Sequence, residues 1–285
     1  MRNRLPLMIA LLLLLAGAAV AEELVLPVVT VVWPGKAGNL WRSEVLATNP
    51  GPLPVDLEIG PFLPGVIKAS DPCMVPSPLR RELPPYSTQL ITAADLSFAL
   101  GCPDLAIGGL VFSAVAPVSL VARVANVTGF PNDPSASAAP ISGFGQQIPA
   151  IPASQLAVPG TVYQVPGLIL DANGCIGSRF ETYLYIANPD TLPVDVTLQQ
   201  SQGGTPAGEL VLSGQPVVTP YTFKVPARGW KQLLVKLGGG PMGPCGEPQL
   251  LDLFFTTTGP IAVVGAVVDR GSQEPRTVLP LATTQ

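Results

Sequence analysis

Apolar and polar residues alternate with a period of two along several short stretches of the chain. Leu53, Val55, Leu57 and Ile59 interleave with Pro54, Asp56 and Glu58, and Val118, Leu120, Ala122 and Val124 interleave with Ser119, Val121 and Arg123. Successive side chains of a strand point to opposite faces, so these stretches read as half-buried strands. The runs are short and β-branched. They are separated by Asn-Pro, Pro-Gly, Gly-Gly and Gly-Pro breaks, which argue for an all-β sandwich rather than for alternating strands and helices. Strands are predicted over residues 24–33, 41–49, 53–59, 87–92, 107–115 and 117–126, the last two as hairpin partners around Pro117, with counterparts further along. Only Ala93 to Leu100 carries a helical pattern. About seven strands in roughly 100 residues is the requirement of an immunoglobulin-like sandwich.

The same pattern is written twice. Trp41-Arg42-Ser43-Glu44-Val45-Leu46-Ala47-Thr48-Asn49-Pro50, followed by Leu53-Pro54-Val55-Asp56, returns as Phe180-Glu181-Thr182-Tyr183-Leu184-Tyr185-Ile186-Ala187-Asn188-Pro189, followed by Leu192-Pro193-Val194-Asp195. An offset of 139 pairs Asn49 with Asn188, Pro27 with Pro166 and Gly38 with Gly177. An offset of 143 pairs Cys102 with Cys245, Phe112 with Phe255 and Pro117 with Pro260. The middle of the second copy has therefore gained a few residues. An internal duplication of this size means two copies of one folding unit, each about 130 residues, a common domain size. The expected organisation is a first sandwich over residues 22–153 and a second over residues 154–285. Asn49-Pro50 and Asn188-Pro189 read as strand ends, because proline cannot donate to a ladder and holds its predecessor extended. Trp41 and Phe180 share the parity of Val45 and Leu184 and read as core plugs.

Residues 1–21 stand outside the repeat. Arg2 and Arg4, an apolar run from Leu5 to Leu15 and the small-residue pattern Ala19-Val20-Ala21 read as a removable export signal. The run is shorter than the roughly 20 residues a spanning helix needs, and the remainder has no second long apolar stretch, so no membrane span is expected in the mature chain. Without the signal, 13 basic residues face 19 acidic ones, a net charge of −6. The cations are scattered, only Arg80 and Arg81 being adjacent, which argues against nucleic acid as a partner. With 34 Pro, 29 Gly and 12% charged residues, the composition excludes disorder and coiled coil.

Exported chains favour disulfides over zinc, and the four cysteines show no Cys-x-x-Cys spacing. Of three connectivities, Cys73–Cys102 with Cys175–Cys245 keeps each bridge inside one domain. There is no histidine anywhere, which removes the usual general base of hydrolases and the commonest catalytic-metal ligand. No phosphate-binding or nucleophile-elbow motif occurs. Carboxylate-only chemistry survives in principle through Glu44, Asp56, Glu58, Glu181 and Asp195, although Asp56 and Asp195 sit on the polar strand face. Asp171-Ala172-Asn173-Gly174 resembles the start of a calcium loop, but Thr182 stands where the closing Glu belongs, so it reads as a turn. No cofactor or metal is expected.

The copies differ where one would look for function. Opposite its core residues the first copy has Glu44 and Leu46; the second has Tyr183 and Tyr185, with Val264 and Val268 on the same outward parity. That face is expected to be covered by contact between the two domains, by extra strands of the longer second unit, or by a partner or glycan, and Trp230 and Lys231 lie on another strand of the same unit.

Trp41-Arg42-Ser43 leading to Asn49-Pro50, and Phe144-Gly145-Gln146-Gln147-Ile148-Pro149-Ala150 closing the first unit, resemble a tandem repeat of secreted bacterial proteins with immunoglobulin-like sandwiches. The second copy keeps Asn188-Pro189 but has Phe180-Glu181 and Arg276-Thr277-Val278-Leu279-Pro280 at the other motifs. The resemblance implies a periplasmic or cell-surface module and brings no catalytic residues. The expected function is non-enzymatic binding or scaffolding outside the cytoplasm, with protein or surface polysaccharide as partner. A carbohydrate-binding module using Tyr183, Tyr185 and Trp230 is the first alternative, and a carboxylate-dependent glycoside hydrolase the second.

Overall fold

The computed structural model describes residues 21–31, 33–34, 40–67, 78–100, 106–126, 145–172, 178–200, 210–238, 246–270 and 275–283. They form an all-β, sandwich-like structure of four antiparallel sheets that do not close into a barrel. The first half contributes β1 (Glu22–Val31), β2 (Trp33–Pro34), β3 (Leu40–Asn49), β4 (Val55–Ile67), β5 (Leu79–Leu83), β6 (Ser87–Ile91), the helix α1 (Ala93–Leu100), β7 (Ala106–Ala114), β8 (Ser119–Asn126), β9 (Gly145–Pro149) and β10 (Ile151–Pro152). The second contributes β11 (Tyr163–Leu170), β12 (Phe180–Asn188), β13 (Val194–Gln200), β14 (Leu210–Leu212), β15 (Gln215–Val217), β16 (Tyr221–Val225), β17 (Gly229–Leu237), β18 (Gln249–Thr257), β19 (Ala262–Asp269), β20 (Pro275–Val278) and β21 (Leu281–Ala282).

Sheet A has the order β10-β1-β7-β4-β5, and sheet B the order β2-β3-β8-β9 with β6 also paired to β3. Sheet C runs β15-β14-β17-β12-β19-β20, and sheet D runs β16-β13-β18-β11-β21. The register repeats between halves. Leu24 faces Phe112 and Leu26 faces Leu110 in sheet A; Tyr163 faces Phe255 and Val165 faces Leu253 in sheet D, with a bulge at the same place in both. The offsets of 139 and 143 read from sequence convert one set of pairs into the other.

Packing follows from the hydrophobic pattern. Sheets A and B enclose one core, with Leu57, Ile59, Leu96, Phe112, Ala122 and Ile148 among its fully covered side chains. Sheets C and D enclose another around Val165, Leu168, Leu184, Ile186, Leu253 and Phe255. β1 and β7 are apolar and buried along nearly their whole length rather than at alternate positions. Such strands have both faces covered. Sheet A is covered on its second face by sheet C, through β12, β17 and β19, so the sheets stack in the order B, A, C, D.

Several expectations need correction. β7 and β8 are not hairpin partners, since β7 lies in sheet A and β8 in sheet B, and Val115 to Val118 carry the chain from one facing sheet to the other. β4 does not stop at Ile59. It continues to Ile67 through register shifts at Gly60-Pro61 and Gly65, where bulges accept proline without a ladder bond. β5, Leu-Arg-Arg-Glu-Leu, is an edge strand too polar for the alternation to flag. Leu53 and Leu192 lie in loops, exposed, not in strands.

The predicted helix forms over Ala93–Leu100. Thr92 and Asp95 cap its first turn reciprocally: Asp95 N–H donates to Thr92 Oγ1 (3.3 Å), and Asp95 Oδ2 accepts from Thr92 N–H (3.0 Å) and from the Thr92 hydroxyl (2.9 Å). Arg81 pairs with the other carboxylate oxygen. Burial alone would raise the Asp95 carboxyl, but these hydrogen bonds and the guanidinium outweigh it and hold the pKa below the ordinary 3.8. A folded value below the unfolded one stabilises above the unfolded pKa and loses that stabilisation as pH falls through the folded value. Asp95→Ala is therefore expected to lower stability by about 1 kcal/mol at pH 7, with the gap to wild type closing in thermal melts as the pH falls below the ordinary 3.8 and on through the lower folded value.

Candidate functional site

The outward face of sheet C, singled out by its aromatic residues, is built by three neighbouring strands. Residues directly opposite in an antiparallel sheet share a face. Tyr185 faces Gln232 and Val264, Ala187 faces Trp230 and Ala262, and Glu181 faces Val268. Tyr183, Tyr185, Trp230, Val264 and Val268 therefore stand on one side. Lys231 does not. It faces Ile186 on the core side, with its ammonium 5.1 Å from the Phe223 ring centroid and donating to the Lys224 carbonyl at 3.3 Å.

Sheet A covers this face. Trp230 is 6% exposed and Val264 fully buried, and both belong, with Ala187 and Ala262, to the hydrophobic cluster of the first half; Tyr185 packs against it. The Trp230 indole N–H donates to the Pro27 carbonyl of β1 at 2.6 Å. Two glycines of sheet A make the approach: a β-carbon at Gly65 would lie 2.1 Å from Trp230 Cε3, and one at Gly109 would lie 3.0 Å from the β-carbon of Ala187. Trp230, Tyr185 and Tyr183 form a ladder of near-parallel rings, with centroids 5.8 and 6.0 Å apart. At its rim Tyr183 donates to Glu181 Oε2 at 2.6 Å. Both phenols are held above the ordinary tyrosine range, first by burial and then by the Glu181 carboxylate. Buried between sheets, the rings of Trp230 and Tyr185 are not free to stack on a sugar.

The repeated Asn-Pro motif does more than end a strand. Asn49 is 1% exposed, and its Nδ2 donates to the carbonyls of Leu53 (2.7 Å), Leu83 (3.1 Å) and Pro84 (3.0 Å), while Oδ1 accepts from Gly51 N–H (2.9 Å). Asn188 repeats the set on Leu192, Val225, Pro226 and Asp190. Each amide ties two loops to a strand end. In the first half the clamped loops are 50–54 and 84–86, and Tyr86 N–H, at a φ of 50°, donates to Gly51 O at 3.1 Å. The turn at 115–118 leaves the same end, because Ala114 faces Leu57 near the start of β4.

That loop end is apolar and open. Leu53 is 71%, Tyr86 74% and Val115 50% exposed, among the exposed prolines Pro50, Pro52, Pro54, Pro84, Pro85 and Pro117. None of residues 50–54, 84–86 or 115–118 is charged, whereas the matching end of the second half carries Asp190 and Arg228. Sequence reading missed this surface. The clue was the uncharged pair Pro-Gly-Pro-Leu-Pro and Pro-Pro-Tyr, which the Asn49 clamp and the Tyr86–Gly51 hydrogen bond bring together.

The remaining candidates resolve into local roles. Cys73, Cys102, Cys175 and Cys245 lie outside the described residues, as do residues 1–20 of the signal segment and Asn173-Gly174. Asp171, buried, accepts from Ser178 Oγ (3.0 Å) and Phe180 N–H (2.7 Å), tying the end of β11 to the start of β12. Asp195 pairs with Lys224 (2.7 Å), Glu58 with Arg80 (2.9 Å) and Glu44 with Arg42 (3.4 Å). Among the described residues no group of three or more Cys, Asp or Glu is placed to hold a metal, and no helix is long and apolar enough to cross a membrane. A hollow of about 110 Å³ between the halves, lined by Ile151, Tyr163, Ile261 and Leu279 among others, has room for one side chain rather than for a drug-sized molecule. No protein-family model, curated protein or solved structure matches the chain.

Proposed function

We propose that this chain is a non-enzymatic binding or scaffolding protein that acts outside the cytoplasm, built of two immunoglobulin-like sandwich domains from an internal duplication. The coinciding strand registers of the two halves support the duplication, and the export signal read from sequence supports the compartment. The observation that carries the binding role is the loop end of the first half, where Leu53 and Tyr86 stand exposed on loops that Asn49 holds in place. Preordered aromatic and aliphatic anchors suit recognition, because little conformational freedom is lost on docking. Loops at one end of a sandwich are also where such folds carry their binding residues. The surface has no charge and few amide donors, proline supplying none, so it favours an apolar protein cleft over a polysaccharide.

The test is a pull-down from native envelope extract with the wild-type chain, a Leu53→Asp/Tyr86→Asp variant and a Leu192→Asp control. Wild type and control are expected to hold the same partner, and the loop-end variant to lose it at least tenfold, the cost of about 1.4 kcal/mol or more of anchor energy. A partner held equally by all three would refute the reading.

A further inference from the structure

The contact between the halves is heterologous: an A-type face of the first meets a C-type face of the second. Among the described residues, no sheet covers the complementary face of either half at its own end of the stack. Sheet B occupies in the first half the place of sheet C, and sheet D in the second half the place of sheet A. A heterologous contact that does not close continues as an open chain unless something stops it. Both end faces carry residues that would stop it.

On sheet B, exposed Leu46 stands where sheet C has Tyr185, and Glu44, itself buried beside Arg42, stands where it has Tyr183 at the rim. The pair Thr48 and Thr88 stands where sheet C has Ala187 and Trp230, their hydroxyls 3.0 Å apart. The indole that enters sheet A at Gly65 thus has a threonine as its counterpart. On sheet D, Gln164 and Phe254 face each other where sheet A has Val25 and Val111. Asp252 takes the place of Gly109, the residue whose missing side chain admits Ala187. Its carboxylate accepts from Gln164 Nε2 and from Gly167 N–H, each at 2.7 Å. A side chain fixed there obstructs the close approach that the junction needs.

We propose that the outer faces of sheets B and D are the two halves of the internal junction, closed by these substitutions, so that the stack ends at two units and the occupant kept out is a second copy of this chain. Terminal units of repeat arrays are capped by polar outer faces for the same reason. The residues involved are separate from the loop end, so the proposal stands or falls apart from the partner reading.

Two variants test it. One chain carries Leu46→Tyr with Thr88→Trp, leaving Glu44 in its pair with Arg42; the other carries Gln164→Val with Asp252→Gly. Each alone is expected to sediment as a monomer, like wild type, and their mixture as a one-to-one complex of doubled mass. Should a double variant fail to fold by circular dichroism, Leu46→Tyr mixed with Asp252→Gly is expected to raise the average mass above that of either alone. Folded variants that stay monomeric when mixed, or a wild-type chain that itself assembles end to end, would overturn the proposal.

Discussion

Trp230→Ala is expected to lower the free energy of unfolding by about 3–5 kcal/mol, the largest effect of any single junction residue. The indole fills the space that Gly65 leaves open and lies between sheets packed from both sides, so surrounding atoms have little room to close the cavity. The Pro27 carbonyl, 2.6 Å from the indole nitrogen, would lose its donor while still covered. A buried acceptor left unpaired adds about 1–3 kcal/mol, and Trp230→Phe isolates that part because it keeps most of the ring. Urea denaturation read by far-ultraviolet circular dichroism measures both. Trp230→Phe is expected to lie between Trp230→Ala and wild type, and equal stability of all three would mean that the junction holds nothing together.

Asn49→Ala is expected to cost about 3 kcal/mol or more, beyond what an exposed strand-end asparagine would contribute. The two hydrogens of the amide are shared among three carbonyls and its oxygen accepts one N–H, so these contacts are lost together. Asn49→Asp separates the donor from the acceptor role. The carboxylate still accepts from Gly51 N–H but offers nothing to the carbonyls of Leu53, Leu83 and Pro84, and its negative charge faces their oxygens. The folded-state pKa of that introduced carboxyl is raised, so the variant is expected to be most damaged at neutral pH and to recover partly as pH falls and the acid protonates. Thermal melts of Asn49→Ala, Asn49→Asp and Asn188→Ala across pH measure this. The two alanine variants are expected to fall by similar amounts, because the two asparagines hold matching sets of groups.

The repeated phrase around Asn49 and Asn188 made the strand layout readable, since period-two alternation reports which face of a strand meets a core. The same logic placed Tyr183, Tyr185, Val264 and Val268 on one outward face, and the register puts them there. It could not say what lies against that face. The cover comes from sheet A, whose Pro27 precedes Trp230 by 203 positions, and its signs are two glycines, Gly65 and Gly109, whose role is the volume they leave empty. Lys231 was grouped with Trp230 by adjacency, yet neighbours in a strand point to opposite faces, and it lies over Phe223. Asn49 and Asn188 were legible as turn residues, but the clamp depends on Leu83 and Pro84, or Val225 and Pro226, which only folding brings near. β5 escaped notice because an edge strand with Arg80, Arg81 and Glu82 has no apolar alternation to show.

The differences between the two halves acquire a physical reason in the stack. Tyrosines and tryptophan occupy the outward face that another sheet covers. Leucine and threonine, at Leu46, Thr48 and Thr88, occupy the corresponding face at the end of the stack, and Gly109 gives way to Asp252 where, among the described residues, no sheet approaches.

The outward face of sheet C is an interior of the molecule, sealed by sheet A. Hydrogen exchange at the Trp230 indole N–H, followed by nuclear magnetic resonance in the intact chain, tests it most directly. A proton donated to the Pro27 carbonyl within that interior is expected to exchange only when the structure opens, with protection close to that of the core strands. Exchange at the rate of a free indole would place Trp230 at a surface and contradict the account.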